Sequence, residues 1–232
     1  MTKKVLGILE LENKPLSHPG ALCADGTFAF EVRRLTVRGA SVQTVVSGDL
    51  SVKDEYIRRA RQLESEGVDA IISNCGFTSL LQDDVAAAVS IPVGLSSLML
   101  VPFVARLLPP GRSLGLLTYD STKLRESHFN AAGWSTSEIP VAIGGIEGSD
   151  SWREFAEPVP NISPEMLVND VMAATSALLL ANPTLSALVF ECAGFPLATQ
   201  TVRMQTGLAV ADFVTLGRML MDIAGADGRL GR

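Results

Sequence analysis

Two short apolar runs in this chain each deliver a cysteine to a turn of small residues: Val68-Asp-Ala-Ile-Ile-Ser-Asn-Cys-Gly-Phe-Thr78 and Leu185-Ser-Ala-Leu-Val-Phe-Glu-Cys-Ala-Gly-Phe195. Cys192 lies 117 positions after Cys75, and the same offset matches Ala70 with Ala187, Leu80 with Leu197, Val85 with Val202 and Val93 with Val210. A lone cysteine after a buried strand is more often a small core residue than a reagent. Two at corresponding positions of an internal repeat read instead as a pair facing one pocket. Such a pair suits acid–base work at carbon. One thiolate removes a proton next to a carboxylate or carbonyl, and the opposite thiol returns one to the other face.

The enolate-like charge that develops needs donors. Asn74, Thr78, Thr118, Tyr119 and the N–H groups around Gly76, Ala193 and Gly194 stand at the right places in the repeat, with Phe77 beside them. Helix dipoles following the two cysteines are expected to favour thiolate over thiol. Glu191, next to Cys192, reads equally as a substrate contact or as a member of an ion pair. Glu10 is similar, leaning toward the site because it matches Thr118 when Leu-Gly-Ile-Leu-Glu10 is set against Leu-Gly-Leu-Leu-Thr118. Cys23 lacks such a context and reads as incidental, His18 falls in a long loop, and His128 reads as a surface or boundary residue.

These residues must be carried by strands and helices in alternation. Strands are predicted over 4–9, 40–46, 68–73, 91–95, 113–118, 138–143, 185–190 and 208–210, with helices over 28–35, 54–66, 78–89, 96–108, 121–132, 164–180, 197–205 and 212–224. The helix at 54–66 shows the spacing plainly: Tyr56, Ile57, Ala60 and Leu63 form a stripe, the arginines lie on a solvated face, and Gly67 stops it. The stretches 11–27 and 144–164 are long and broken by proline and glycine, and read as two matching lids. The expectation is an α/β protein of two pseudo-symmetric parallel-sheet domains from an internal duplication, with the active site in the cleft between them. Domain one would take residues 1–96 plus 207–232, and domain two residues 97–206.

Composition narrows the function classes. A chain of 232 residues with 47% apolar and 19% charged side chains buries a core readily. The formal charge of −6 comes without a basic cluster, which argues against nucleic acid. The N-terminal apolar run is too short for a secretion signal and no stretch approaches a membrane span, so the expectation is a cytoplasmic protein without a membrane partner. Three cysteines without CxxC spacing argue against a disulfide framework or a structural zinc site. Neither a GxGxxG after the first strand nor a P-loop is present, so no cofactor and no metal are expected. A homodimer or higher homo-oligomer is the default expectation.

The paired Asn-Cys-Gly-Phe-Thr78 and Glu-Cys-Ala-Gly-Phe195 segments, the Leu-Gly-Leu-Leu-Thr118 strand and the Ile-Pro-Val after the first cysteine's helix together resemble the aspartate/glutamate racemase superfamily. That group includes hydantoin racemases, maleate cis-trans isomerases and arylmalonate decarboxylases. The resemblance spans nearly the whole chain and implies a cofactor-independent racemase or epimerase of an amino acid or derivative, with Cys75 and Cys192 as the acid/base pair. It implies a small carboxylate or hydantoin-like substrate. Amino-acid racemases of the group commonly carry Cys-Asn-Thr at the first cysteine and a threonine and histidine after the second. Here Gly76-Phe77-Thr78 and Ala193-Gly194 stand, which points to a roomier or more apolar substrate than glutamate. A maleate-type isomerase or arylmalonate-type decarboxylase relying mainly on one cysteine, and a non-catalytic small-molecule binder, are the alternatives.

Overall fold

A computed structural model describes residues 4–224. The outer ends of the expected first domain, residues 1–3 and 225–232, lie outside the described residues. The chain runs β1 (Val5–Glu10), β2 (Glu31–Thr36), α1 (Val42–Val46), α2 (Lys53–Ser65), β3 (Ala70–Ser73), α3 (Gln82–Ala86), β4 (Val93–Gly94), α4 (Val101–Leu107) and β5 (Ser113–Thr118). It continues through α5 (Glu126–Ala131), β6 (Val141–Gly145), α6 (Asp150–Phe155), α7 (Pro164–Ala181), β7 (Leu185–Phe190), α8 (Pro196–Thr206), β8 (Ala209–Ala211) and α9 (Phe213–Ile223). Short 3-10 turns occupy Leu50–Val52, Gly76–Leu81 and Ser97–Leu100.

Two four-stranded parallel sheets result, ordered β2-β1-β3-β4 and β6-β5-β7-β8. Their registers repeat as well as their order. Leu6 pairs with Ala70 and Ile71 with Val93 in the first sheet; Leu114 pairs with Ala187 and Leu188 with Val210 in the second. The duplication read from the 117-residue offset is therefore a duplication of hydrogen-bonded pairs. The central strands are buried on both faces, as parallel sheets covered by helices require. The last helix, α9, returns to pack on β3 and β4, and Lys4 ties it there by donating to the carbonyls of Met221 and Ala224 at 2.6 and 3.0 Å.

Several local expectations are corrected. The stretch predicted as a helix at 28–35 overlaps β2, an edge strand whose charged residues, exposed or half-buried, break the apolar alternation. The predicted strand at 40–46 is α1: its valines favour a strand, but Ser41 accepts the Thr44 N–H and starts a helical turn. The helix expected over 78–89 is a six-residue 3-10 turn leading into five-residue α3, and that over 121–132 shrinks to α5. The supposedly irregular 144–164 holds α6, started by Ser149 accepting the Trp152 N–H.

Candidate active site

Ligand sites of open parallel sheets lie beyond the strand carboxyl ends, where the strand order reverses direction. In the first sheet that reversal falls between β1 and β3, in the second between β5 and β7. Leu11 and Asn74-Cys75 leave the first pair; Tyr119 and Glu191-Cys192 leave the second. All six residues line one small cavity of about 60 Å³ shared by the two halves. Val42, Val46, Gly76, Phe77, Phe155, Ala193 and Gly194 complete it. A second cavity continues from it, sharing Leu11, Val42, Asn74, Phe155, Ala193 and Gly194 and adding Asn13, Lys14 and Cys23.

The first cysteine is held by its neighbours' hydroxyls. Ser73 and Thr78 oxygens lie 2.7 Å apart, and both reach the carbonyls of Cys75, at 2.9 and 2.5 Å, and of Leu95, at 2.6 and 2.8 Å. Thr78 is therefore a buried clamp on the cysteine's backbone and does not line the cavity. The hydroxyl of Thr118 is likewise committed, donating to Glu191 Oε2 at 2.6 Å, and that of Tyr119 donates to the Trp152 carbonyl at 2.9 Å. Of the side-chain donors expected from the sequence, Asn74 is the one that lines the cavity with its donor uncommitted. Its Oδ1 accepts the Leu11 N–H at 2.9 Å, which leaves its amide N–H groups without a partner among the described residues.

The two halves echo each other here and then part. Tyr119 N–H donates to Glu191 Oε2 at 3.3 Å, just as Leu11 N–H donates to Asn74 Oδ1. Asn74 and Glu191 are separated by the same 117 positions as the cysteines, so equivalent anchors hold a neutral amide beside Cys75 and a carboxyl beside Cys192. Glu191 is fully buried, and its Oε1 has no hydrogen-bond partner among the described residues. Gly76 makes room for it: a Cβ there would lie 2.3 Å from Oε1. Gly194 does the same for the ring of Phe155, which a Cβ would meet at 2.4 Å.

Electrostatics correct the thiolate expectation. Burial pushes the Cys75 thiol up, and the Glu191 carboxylate pushes it further, while the N–H groups of Phe77 and Thr78 act weakly the other way. Cys192 behaves alike, raised by burial, by Glu191 and by Cys75 against the N–H groups of Gly194 and Phe195. The turn after Cys75 is too short for a helix dipole to compensate. Both cysteines rest as thiols. Burial raises Glu191 to about 7, with Thr118 and the Tyr119 N–H limiting the rise.

Other candidates lie elsewhere. Glu10 turns away from the cavity toward Arg34, 3.4 Å off, and Cys23; burial raises its carboxyl, against the pull of Arg34. Cys23 is not incidental but a buried member of that cluster, its thiol raised by burial and by Glu10, and it borders the second cavity. His128 is buried rather than superficial, edge-on to Phe77 with ring centroids 5.2 Å apart, and burial lowers its pKa. Phe195 packs in the core on Phe190 and does not widen the pocket, so the small cavity gives no support to a roomier site. The sequence reading missed Phe155, Val42, Val46, Asn13 and Lys14, which arrive from loops and short helices without a repeat signal. Leu11 was missed as well, although its place as the counterpart of Tyr119 in the repeat was a signal that could have found it.

The two lids meet over this cleft. Asn13 Nδ2 donates to the carbonyls of Ala156 and Glu157, Lys14 N–H donates to Pro158 O, and His18 Nε2 lies 2.9 Å from Ile162 O. Asn13 Oδ1 also accepts the Val42 N–H, so one side chain joins the first lid, the second lid and α1. No group of three or more metal-binding side chains is found among the described residues, and none of their helices is long and apolar enough to cross a membrane.

No family model matches the chain. Among curated proteins it is similar to a dimethylsulfoniopropionate lyase of Durusdinium sp. clade D, 25% identical over 215 residues, covering 90% of this chain and 71% of that protein. It is also similar to dimethylsulfoniopropionate lyase 3 of Emiliania huxleyi (strain CCMP1516), 27% identical over 221 residues, where it covers 90% of itself but 57% of the relative. Among solved structures, unliganded arylmalonate decarboxylase superposes with a TM-score of 0.59 at 15% identity, covering 96% of this chain and 93% of that one. Allantoin racemase from Klebsiella pneumoniae gives 0.57 at 15% identity over 99% and 94%, and Picrophilus torridus aspartate racemase 0.54 at 14% over 99% and 96%.

Proposed function

From the fold of the aspartate/glutamate/hydantoin racemase superfamily, which this chain shares, we propose a cofactor-independent enzyme that removes a proton from the carbon next to a carboxylate, with Cys75 and Cys192 as its acid–base groups. The observation that carries this reading is the meeting of both cysteines, from equivalent strand ends, in one cavity. The N–H groups around Gly76 and Ala193 and the amide of Asn74 are the donors for the enolate-like charge.

The substrate follows from charge. Among the described residues the Cys-lined cavity has no cationic side chain, and Lys14 in the adjoining one is exposed. A second carboxylate placed beside Glu191 would raise the thiols further. A fixed positive charge would instead draw thiolate out, and the aromatic rings of Tyr119 and Phe155 line the cavity that would receive it. A zwitterionic carboxylate bearing an onium leaving group on its β carbon fits, and dimethylsulfoniopropionate, in the name of the similar lyases, is of this class. The step balances: a cysteine thiolate takes the α proton, the C–H pair becomes the new double bond, and the carbon–sulfur pair leaves with a neutral sulfide. Racemisation of an amino acid or hydantoin is the second reading, favoured by the equivalent placement of the two thiols in the two halves. Product analysis by NMR on dimethylsulfoniopropionate and on each enantiomer of aspartate, glutamate and hydantoins separates the two. An unsaturated acid with released sulfide supports elimination, inversion without loss of a group supports racemisation, and no turnover across the panel sinks both.

A further inference from the structure

A buried carboxyl oxygen without a partner is costly unless it has a proton to hold. Glu191 Oε2 is anchored by Thr118 and Tyr119, while Oε1 lies against Gly76 without a hydrogen-bond partner among the described residues, in the cavity wall that carries both cysteines. Its counterpart in the first half is the neutral Asn74. We propose that Glu191 is the proton acceptor that generates the working thiolate, so that the resting site is a thiol–carboxylate pair and the active one a thiolate–carboxylic acid pair. The inference rests on the reading that these cysteines are the working thiols.

The transfer leaves the net charge of the pocket unchanged: the S–H proton moves to Glu191 Oε1, and its electron pair stays on sulfur. That matters because releasing the proton to water would leave two anions together in a buried cavity, where neighbouring like charges are strongly unfavourable. The groups around Glu191 are the Cys75 and Cys192 thiols, which line the same cavity and are both raised by its charge, and the Thr118 hydroxyl and Tyr119 N–H at Oε2. The Tyr119 phenol, raised by burial, Cys192 and Asp120, stays neutral in the physiological range. No cation acts on Glu191 among the described residues. Its ionisation near 7 keeps a share of Glu191 as the carboxylate acceptor at physiological pH. The broken symmetry also means that the thiol sharing the carboxyl's proton serves as base and the other as acid.

Iodoacetamide alkylation, resolved for each cysteine by peptide mass spectrometry across pH 5–9, tests this without any substrate and so independently of the proposed reaction. In the wild type, alkylation of at least one of Cys75 and Cys192 is expected to level off above an inflection near pH 7. In Glu191→Gln, which keeps the acceptor for Thr118 and Tyr119, the inflection disappears and the pH 8 rate falls at least about tenfold. If Glu191 acts only as a fixed charge the sign reverses: removing it lowers the thiol pKa, and Glu191→Gln reacts as fast as the wild type or faster. That result, or a wild-type profile without an inflection, overturns the proposal. Thr118→Val provides a second reading should the glutamine variant fold poorly. It removes a bond to the carboxylate form and must move the inflection to higher pH; an unmoved inflection also overturns the proposal.

Discussion

Gly76 and Glu191 are packed closely against each other, and both yield predictions at the scale of single side chains. A methyl group at position 76 would stand 2.3 Å from Glu191 Oε1 and 2.4 Å from the Glu191 carbonyl oxygen, and the backbone atom cannot swing aside. Gly76→Ala is therefore expected to destabilise the protein by about 2 kcal/mol, as overpacking does, and to depress turnover by displacing Cys75. Thermal or denaturant unfolding checks the first effect and steady-state kinetics the second. Glu191 binds its proton more tightly folded, at about 7, than unfolded, at about 4.5. Its stabilising contribution is complete below pH 4.5 and is lost as pH rises through 7, at a cost of roughly 3 kcal/mol. Urea unfolding at pH 5 and pH 8 should show that loss in the wild type and a flatter profile in Glu191→Gln. Equal slopes would contradict the raised carboxyl.

At the scale of elements, the lids depend on Asn13. It joins residues 11–27 to the segment after α6 and to the start of α1 through three hydrogen bonds. Each is worth about 1 kcal/mol where buried. Asn13→Ala is expected to destabilise by about 2 kcal/mol, to speed amide exchange at Lys14, whose N–H bonds to Pro158 O, and to raise KM more than it lowers kcat. An unchanged exchange rate at Lys14 would mean that the lids hold together without it. The elements themselves were unequally legible in the sequence. β1, β3, β5 and β7 announce themselves because buried parallel strands need continuous apolar runs. β2 sits at a sheet edge and mixes Glu31, Arg33 and Arg34 with apolar residues, which hides its period. α1 was misread because Val42, Val45 and Val46 favour strands, while one capping serine decided for helix.

On the scale of the whole molecule, the repeat made the site legible: strand ends at a fixed offset must meet when two copies of a sheet face each other, so Cys75, Cys192, Asn74 and Glu191 could be named from spacing. What spacing cannot tell is which polar group is spent on the backbone. Thr78, Thr118 and the Tyr119 hydroxyl looked like substrate donors, but each satisfies a buried acceptor. Glu10 found a cation and a thiol on its own side of the sheet. Nor could spacing foresee that burial and Glu191 would outweigh the backbone N–H groups and leave the cysteines protonated. The central claim, removal of an α proton by this pair, is tested most directly by release of deuterium into water from α-deuterated dimethylsulfoniopropionate, aspartate, glutamate and hydantoins. The wild type should release label from at least one of them, and Cys75→Ser and Cys192→Ser should each slow that release at least about a thousandfold, some 4 kcal/mol in the barrier. Release that continues at the wild-type rate in both serine variants would contradict the assignment.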